Sequence, residues 1–88
     1  MEENHIGEVF ETEELKLLPG QTIESKTGLI FYRLDDKYNV VYRSSVDIET
    51  YVALPGKGNH VGLTGWDLYF IRDKEAVIVK IVPLTIKP

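Results

Sequence analysis

The stretch "LPGQTIESKTGLIFYRLDDKYNVVYR", residues 18–43, is followed by "LPGKGNHVGLTGWDLYFIRDKEAVIVK", residues 54–80. At an offset of 37, Thr27 meets Thr64, Gly28 meets Gly65, Tyr32 meets Tyr69, Asp36 meets Asp73, Lys37 meets Lys74 and Val40 meets Val77. Phe31 with Leu68, Leu34 with Ile71, Val41 with Ile78 and Arg43 with Lys80 are conservative matches. Upstream the offset falls to 36, where Leu18, Pro19 and Gly20 meet Leu54, Pro55 and Gly56. The second copy therefore holds one extra residue between LPG and TG, a change that a surface connection tolerates. Two unrelated hairpins would also place Asp and Lys in the turn and Val or Ile in the strands. Strand chemistry does not demand shared loop words on both sides of the hairpin, so a tandem duplication is the reading, with units over residues 10–45 and 46–82.

Each unit reads locally as a β-hairpin. LIFYRL and WDLYFI are rich in aromatic and β-branched residues, DDKYN and RDKE supply the reversals, and VVYR and AVIVKIV return. Neither reversal is Asn-Gly, so loops of three to five residues are expected. The segments before each LPG, TEELKL and DIETYVA, are read as short strands that Pro19 and Pro55 close, with one helical turn near residues 12–17 as the alternative. The tail beyond Pro83 can add an edge strand through Leu84, Thr85 and Ile86. Six to seven short strands without a long helix predict an all-β domain, a small barrel or a two-sheet sandwich with pseudo-twofold symmetry.

Alternation along the strands puts Leu29, Phe31 and Arg33 opposite Ile30, Tyr32 and Leu34, and Trp66, Leu68 and Phe70 opposite Asp67, Tyr69 and Ile71. Both sides are largely apolar, where a sheet with one wet face alternates cleanly, so both faces are expected to be covered, one of them by another molecule. On the returning strand Val77, Val79 and Ile81 point inward. Lys80 points outward and interrupts the window most prone to edge pairing.

The 88 residues make one thin-cored domain, and the absence of cysteine removes disulfides and thiolate metal sites. The acidic start MEENHIGEVF lacks the basic patch and apolar run of a secretory signal, and no apolar run approaches the length of a membrane span, so a cytoplasmic protein with no membrane contact is expected. Residues 1–9 are read as an acidic, flexible end, with 10–88 as the single β-domain. The negative charge is concentrated toward the N-terminus: six of the fourteen acidic residues lie within the first fourteen positions, leaving ten basic against eight acidic residues afterwards. A nearly balanced body with no stripe of Lys and Arg argues against nucleic acid.

Little catalytic chemistry is available. His5 lies in the acidic end, and His60 has no second ligand at i+2 or i+4, so no metal and no cofactor are expected. Ser25, Ser44 and Ser45 lack a nucleophile signature, and Asp35 with Asp36 falls in a solvated turn. The loop 55–65, with Gly56, Gly58, Gly62 and Gly65, could cradle a small anion, in which case Lys57, Asn59 and His60 would bind it. Nine aromatic residues are many for so thin a core, and surplus Tyr and Trp mark interfaces. Tyr38, Trp66, Tyr42 and Tyr51 are the expected partner contacts. The expected function is a non-enzymatic protein-binding module, an adaptor or a regulator or inhibitor of a larger enzyme or complex, of the kind viruses also encode. Its partner is another protein or a second copy, since the two halves can pair within one chain or exchange between two. The alternatives are a dimeric nucleic-acid-binding β-protein, in which Arg33, Arg43, Lys57, Lys74 and Lys80 would cluster, and a small-ligand domain using the glycine loop.

Overall fold

A computed structural model describes residues 12–34, 37–63 and 65–83; the acidic end, the Leu84–Ile86 tail strand, Thr64 and the Asp36 turn position lie outside the described residues. The described chain is all-β: β1 (Glu13–Leu17), β2 (Thr22–Glu24), β3 (Ile30–Arg33), β4 (Asn39–Arg43), β5 (Ile48–Val52), β6 (Asn59–Leu63), β7 (Trp66–Asp73) and β8 (Ala76–Pro83). They form two four-stranded antiparallel sheets in the orders β1-β8-β7-β6 and β2-β3-β4-β5.

The echo reappears in this topology. Replacing β2, β3, β4 and β5 by β6, β7, β8 and β1 turns one order into the other, so each half lends its first strand to the sheet of the other half. The loop words match in backbone as well as in letters. Gly20 and Gly56 take φ of 81° and 75°, and Gly28 and Gly65 take 90° and 88°, values at which only glycine is unstrained. The Gln21 amide donates to the Leu18 carbonyl, giving Leu-Pro-Gly-Gln the type II pattern of Pro then positive-φ Gly. The register is not copied strictly. Tyr51 faces Val40, which by the echo would set Leu15 against Val77, yet Leu15 faces Val79. The slip is even, so Leu15 and Leu17 keep their core-facing side.

The sheets face each other across one apolar layer, in an open sandwich-like arrangement. Phe31, Val40 and Tyr42 from one sheet meet Leu17, Leu68, Phe70, Val77, Val79 and Ile81 from the other. Phe31 meets Phe70 edge-on with centroids 6.0 Å apart, and Tyr51 stacks on Phe70 at 5.3 Å. Of the two sides of β3 and β7, the one with Phe31, Leu68 and Phe70 is inside; Ile30, Tyr32, Tyr69 and Ile71 stay half-buried on the outer faces.

Three expectations are corrected. Eight strands form, not six or seven, because the segments between LPG and TG, read as loops, are strands β2 and β6. Both are outermost in their sheets, where a glycine such as Gly62 costs least. Residues 13–17 make no helical turn: β8 offers them a five-residue ladder. The RDKE reversal has two connecting residues, since Asp73 pairs with Ala76 and Lys74 adopts φ 60°. The first hairpin keeps four residues between Leu34 and Asn39, whose N–H and C=O are bonded.

Candidate functional site

The sequence-predicted contact residues have tasks inside the chain. Tyr42 is 6% exposed and lies against Phe31 at 5.9 Å, so it belongs to the core and is corrected as a partner contact. Its position on β4 puts it on the same side as Val40, the side that meets the second sheet. Tyr51 is half-buried on Phe70, with its hydroxyl donating to Glu49 Oε1 at 3.3 Å. Burial, then the neighbouring Glu49 carboxylate, hold the Tyr51 phenol pKa above its ordinary value. Trp66 is half-buried against the core.

Tyr38 ties the two hairpin ends together. Its hydroxyl donates to the Lys74 carbonyl at 2.6 Å, and the guanidinium carbons of Arg33 and Arg72 lie 4.9 and 4.7 Å from its ring centre. Arg33 donates to the Lys37 carbonyl through Nε and Nη2, and to the Glu75 carbonyl through Nη1. This Tyr–Arg clasp fastens one half to the other. It also holds the Lys74–Glu75 connection, which helps explain how a non-glycine residue is kept at positive φ there.

Lys57, Asn59 and His60 do not converge. As strand neighbours, Asn59 and His60 point to opposite faces of β6. His60 stacks on Tyr69 with centroids 4.6 Å apart, and its Nε2 is 3.1 Å from Asp67 Oδ1, on the outer face. Lys57 borders a shallow, solvent-open depression of about 370 Å³ on that face, with Tyr69, Ile71, Lys80 and Val82. The basic side chains also divide: Arg33 and Lys74 sit at the hairpin ends, Lys57 and Lys80 on one outer face, and Arg43 beside Ile30 and Ile48 in the other sheet. Among the described residues, no group of three or more His, Cys, Asp or Glu side chains gathers as a metal site would need, and no helix is long and apolar enough to cross a membrane.

The feature that local sequence reading missed is the free edge of β5. Between β4 and β5, Ala53 donates to Tyr38 and Ser44 donates to Asp47. Antiparallel ladders alternate bonded and non-bonded pairs, so Glu49 and Tyr51 also turn their amides and carbonyls toward β4. Ile48, Thr50 and Val52 therefore turn theirs away, along an edge that no described strand occupies. Their side chains share the outer face with Val41, Arg43 and Asn39. Ile48 is 65% exposed and Val52 43%. At the start of the edge Ser44 Oγ accepts from the amides of Val46 and Asp47, a tight turn that leaves Val46 83% exposed.

Native edges are normally blunted by charge, shortness, proline or bulges. β1 carries Glu13, Glu14 and Lys16 in five residues and β2 has three residues; β6, NHVGL, has no such charge, but Gly62 interrupts its run of side chains and gives an added strand less to pack on. β5, IETYV, has one charge, three β-branched residues and a tyrosine. The signal in sequence is that alternation of Ile, Thr and Val opposite a lone Glu; which atoms face outward depends on the partner strand and is invisible locally. Comparison with known proteins finds no matching family model, no matching curated protein and no matching solved structure.

Proposed function

We propose that this chain is a non-enzymatic protein-binding module that takes an extended segment of its partner as an added strand along β5. The observation that carries the reading is the edge of β5: outward amides and carbonyls at Ile48, Thr50 and Val52, unoccupied by any described strand and flanked by exposed apolar side chains. Strand addition draws affinity from main-chain hydrogen bonds and selectivity from alternate side chains, and β5 offers both. The half-buried Tyr32 and the buried Val41 continue the same face inward, so an added strand extends an existing apolar surface.

The test is selection of a random peptide library against the full chain, followed by amide chemical-shift mapping. Selected peptides are expected to be extended, to shift Ile48, Thr50 and Val52 most, and to lose binding to Thr50→Pro. That substitution removes an outward N–H and leaves the bonds to β4 intact. Thr22→Pro, on the opposite edge of the same sheet, is the control and should bind as the unaltered chain does. Peptides that bind Thr50→Pro unchanged would remove β5 as the site.

A further inference from the structure

Resting on that reading, we infer that the strand β5 accepts is β5 of a second copy, paired antiparallel about a twofold axis through Thr50. The pattern is self-complementary. With Thr50 opposite its own image, Ile48 falls opposite Val52, Val52 opposite Ile48, and Glu49 opposite Tyr51. The outward-facing residues are the even-numbered ones, so this register brings the free N–H and C=O of Ile48, Thr50 and Val52 in both copies into bonded pairs and leaves none on the shared edge open.

The exposed side chains follow the same symmetry. The described exposed large apolar residues are Leu18, Leu34, Val46, Ile48, Val52 and Leu54; four of these six stand two and four positions either side of Thr50. Ile48 with Val52 is the β-branched cross-strand pairing that favours sheets, and no like charges meet directly. Leu54 donates its N–H to the Phe70 carbonyl and accepts at its own carbonyl from the Arg72 N–H, both on β7, so the shared ladder stops at Val52. Joining β5 to its image makes one continuous eight-stranded sheet from two four-stranded ones. A heterologous strand could satisfy the edge; a second copy does so with Val52 set against Ile48 and Ile48 against Val52 on both sides of the axis.

A five-residue ladder covers less than the roughly 1,200 Å² of stable complexes, so the dimer should form reversibly, with a dissociation constant of roughly tens to hundreds of micromolar. Sedimentation equilibrium of the full chain from about 10 µM to about 1 mM should show the average mass climbing from one chain toward two, as a weak interface of this size requires. Thr50→Pro and Thr50→Lys, the second placing two ammonium groups across the axis, should each stay monomeric throughout. A chain that remains monomeric at the highest concentration, or a dimer that persists in both variants, overturns the inference. Because the natural chain has no cysteine, register can be read chemically. With oxidised glutathione, Thr50→Cys should cross-link to itself at least about ten times faster than Ile48→Cys, since bonded-pair Cα atoms lie about 5.5 Å apart and Ile48 faces Val52. Equal rates would refute the twofold register. A monomeric chain that still binds selected peptides at β5 would end this inference and leave the strand-addition reading standing; loss of both would end both.

Discussion

β1 and β5 hold the same place in the two halves. Each precedes an LPG, each is outermost in its sheet, and each pairs antiparallel with the last strand of the opposite half. Yet the two edges, neither of them occupied by a described strand, carry different kinds of side chain. In EELKL the outward side chains Glu14 and Lys16 keep a further strand away, while Leu15 and Leu17 point to the core. In IETYV the outward side chains are Ile48, Thr50 and Val52, and the inward ones are Glu49 and Tyr51. A common topology therefore does not settle what an edge does. That is decided by a handful of alternate positions, where charge excludes a neighbour and β-branched carbon invites one.

The comparison is broken most severely from the inside. Leu17 has no exposure, and its echo position, Ala53, is already small and almost fully buried. Leu17→Ala should destabilise the fold by about 2–5 kcal/mol, a large share of the margin of so small a domain. Ile48→Ala on β5 should cost less than about 0.5 kcal/mol, as surface truncations do. Urea unfolding followed by far-UV circular dichroism, at low micromolar protein to keep copies apart, measures both. A similar cost for the two would mean that the outer side of β5 is already covered in the single chain.

The loops after each LPG give a second, smaller contrast. A Cβ at Gly20, φ 81°, meets nothing within 4 Å, whereas a Cβ at Gly58, φ 82°, would stand 2.5 Å from Ile71 Cγ1 and 2.7 Å from the Phe70 carbonyl oxygen. Gly20→Ala should cost only the left-handed backbone penalty, about 1–2 kcal/mol. Gly58→Ala should exceed it by about 1–2 kcal/mol, the range of overpacking a fitted site. Equal melting temperatures for the two variants would show that the approach of residue 58 to β7 relaxes freely, and would weaken the placing of β6.

What could be read from the letters is what repeats locally. Aromatic and β-branched runs marked the hairpins, alternation identified Val77, Val79 and Ile81 as core, and the paired LPG and TG words carried matching positive-φ glycines. Non-local choices were not legible. β6 looked like a loop because of its glycines, and only the eight-residue β7 alongside makes it a strand. Tyr42 looked exposed because VVYR is apolar on both sides; the facing sheet decides that Val40 and Tyr42 lie inward. The exchange of β1 and β5 between sheets, and with it the free edge at Ile48, Thr50 and Val52, depends on strand order, which no local pattern records.

The same pair of strands differs in a proton. By the echo Tyr51 corresponds to Leu15, and both lean on the core. Burial first, and then the Glu49 carboxylate, raise the Tyr51 phenol above the ordinary value of about 10. The folded state thus favours the neutral phenol. Its contribution is whole below the unfolded pKa and is lost as pH rises through the higher folded one. The chain should therefore lose stability on the alkaline side of about pH 10, and Tyr51→Phe, which has no proton to release, should lose less over the same window. The effect is the smallest of the three, because Tyr51 is only half-buried and water screens the phenolate. Urea midpoints for both proteins from neutral pH through the alkaline limb give the difference, in which the other tyrosines cancel. If the two curves run parallel through that limb, the ring on Phe70 is wetter than its stacking implies, and β5 would be loosely held on both of its faces.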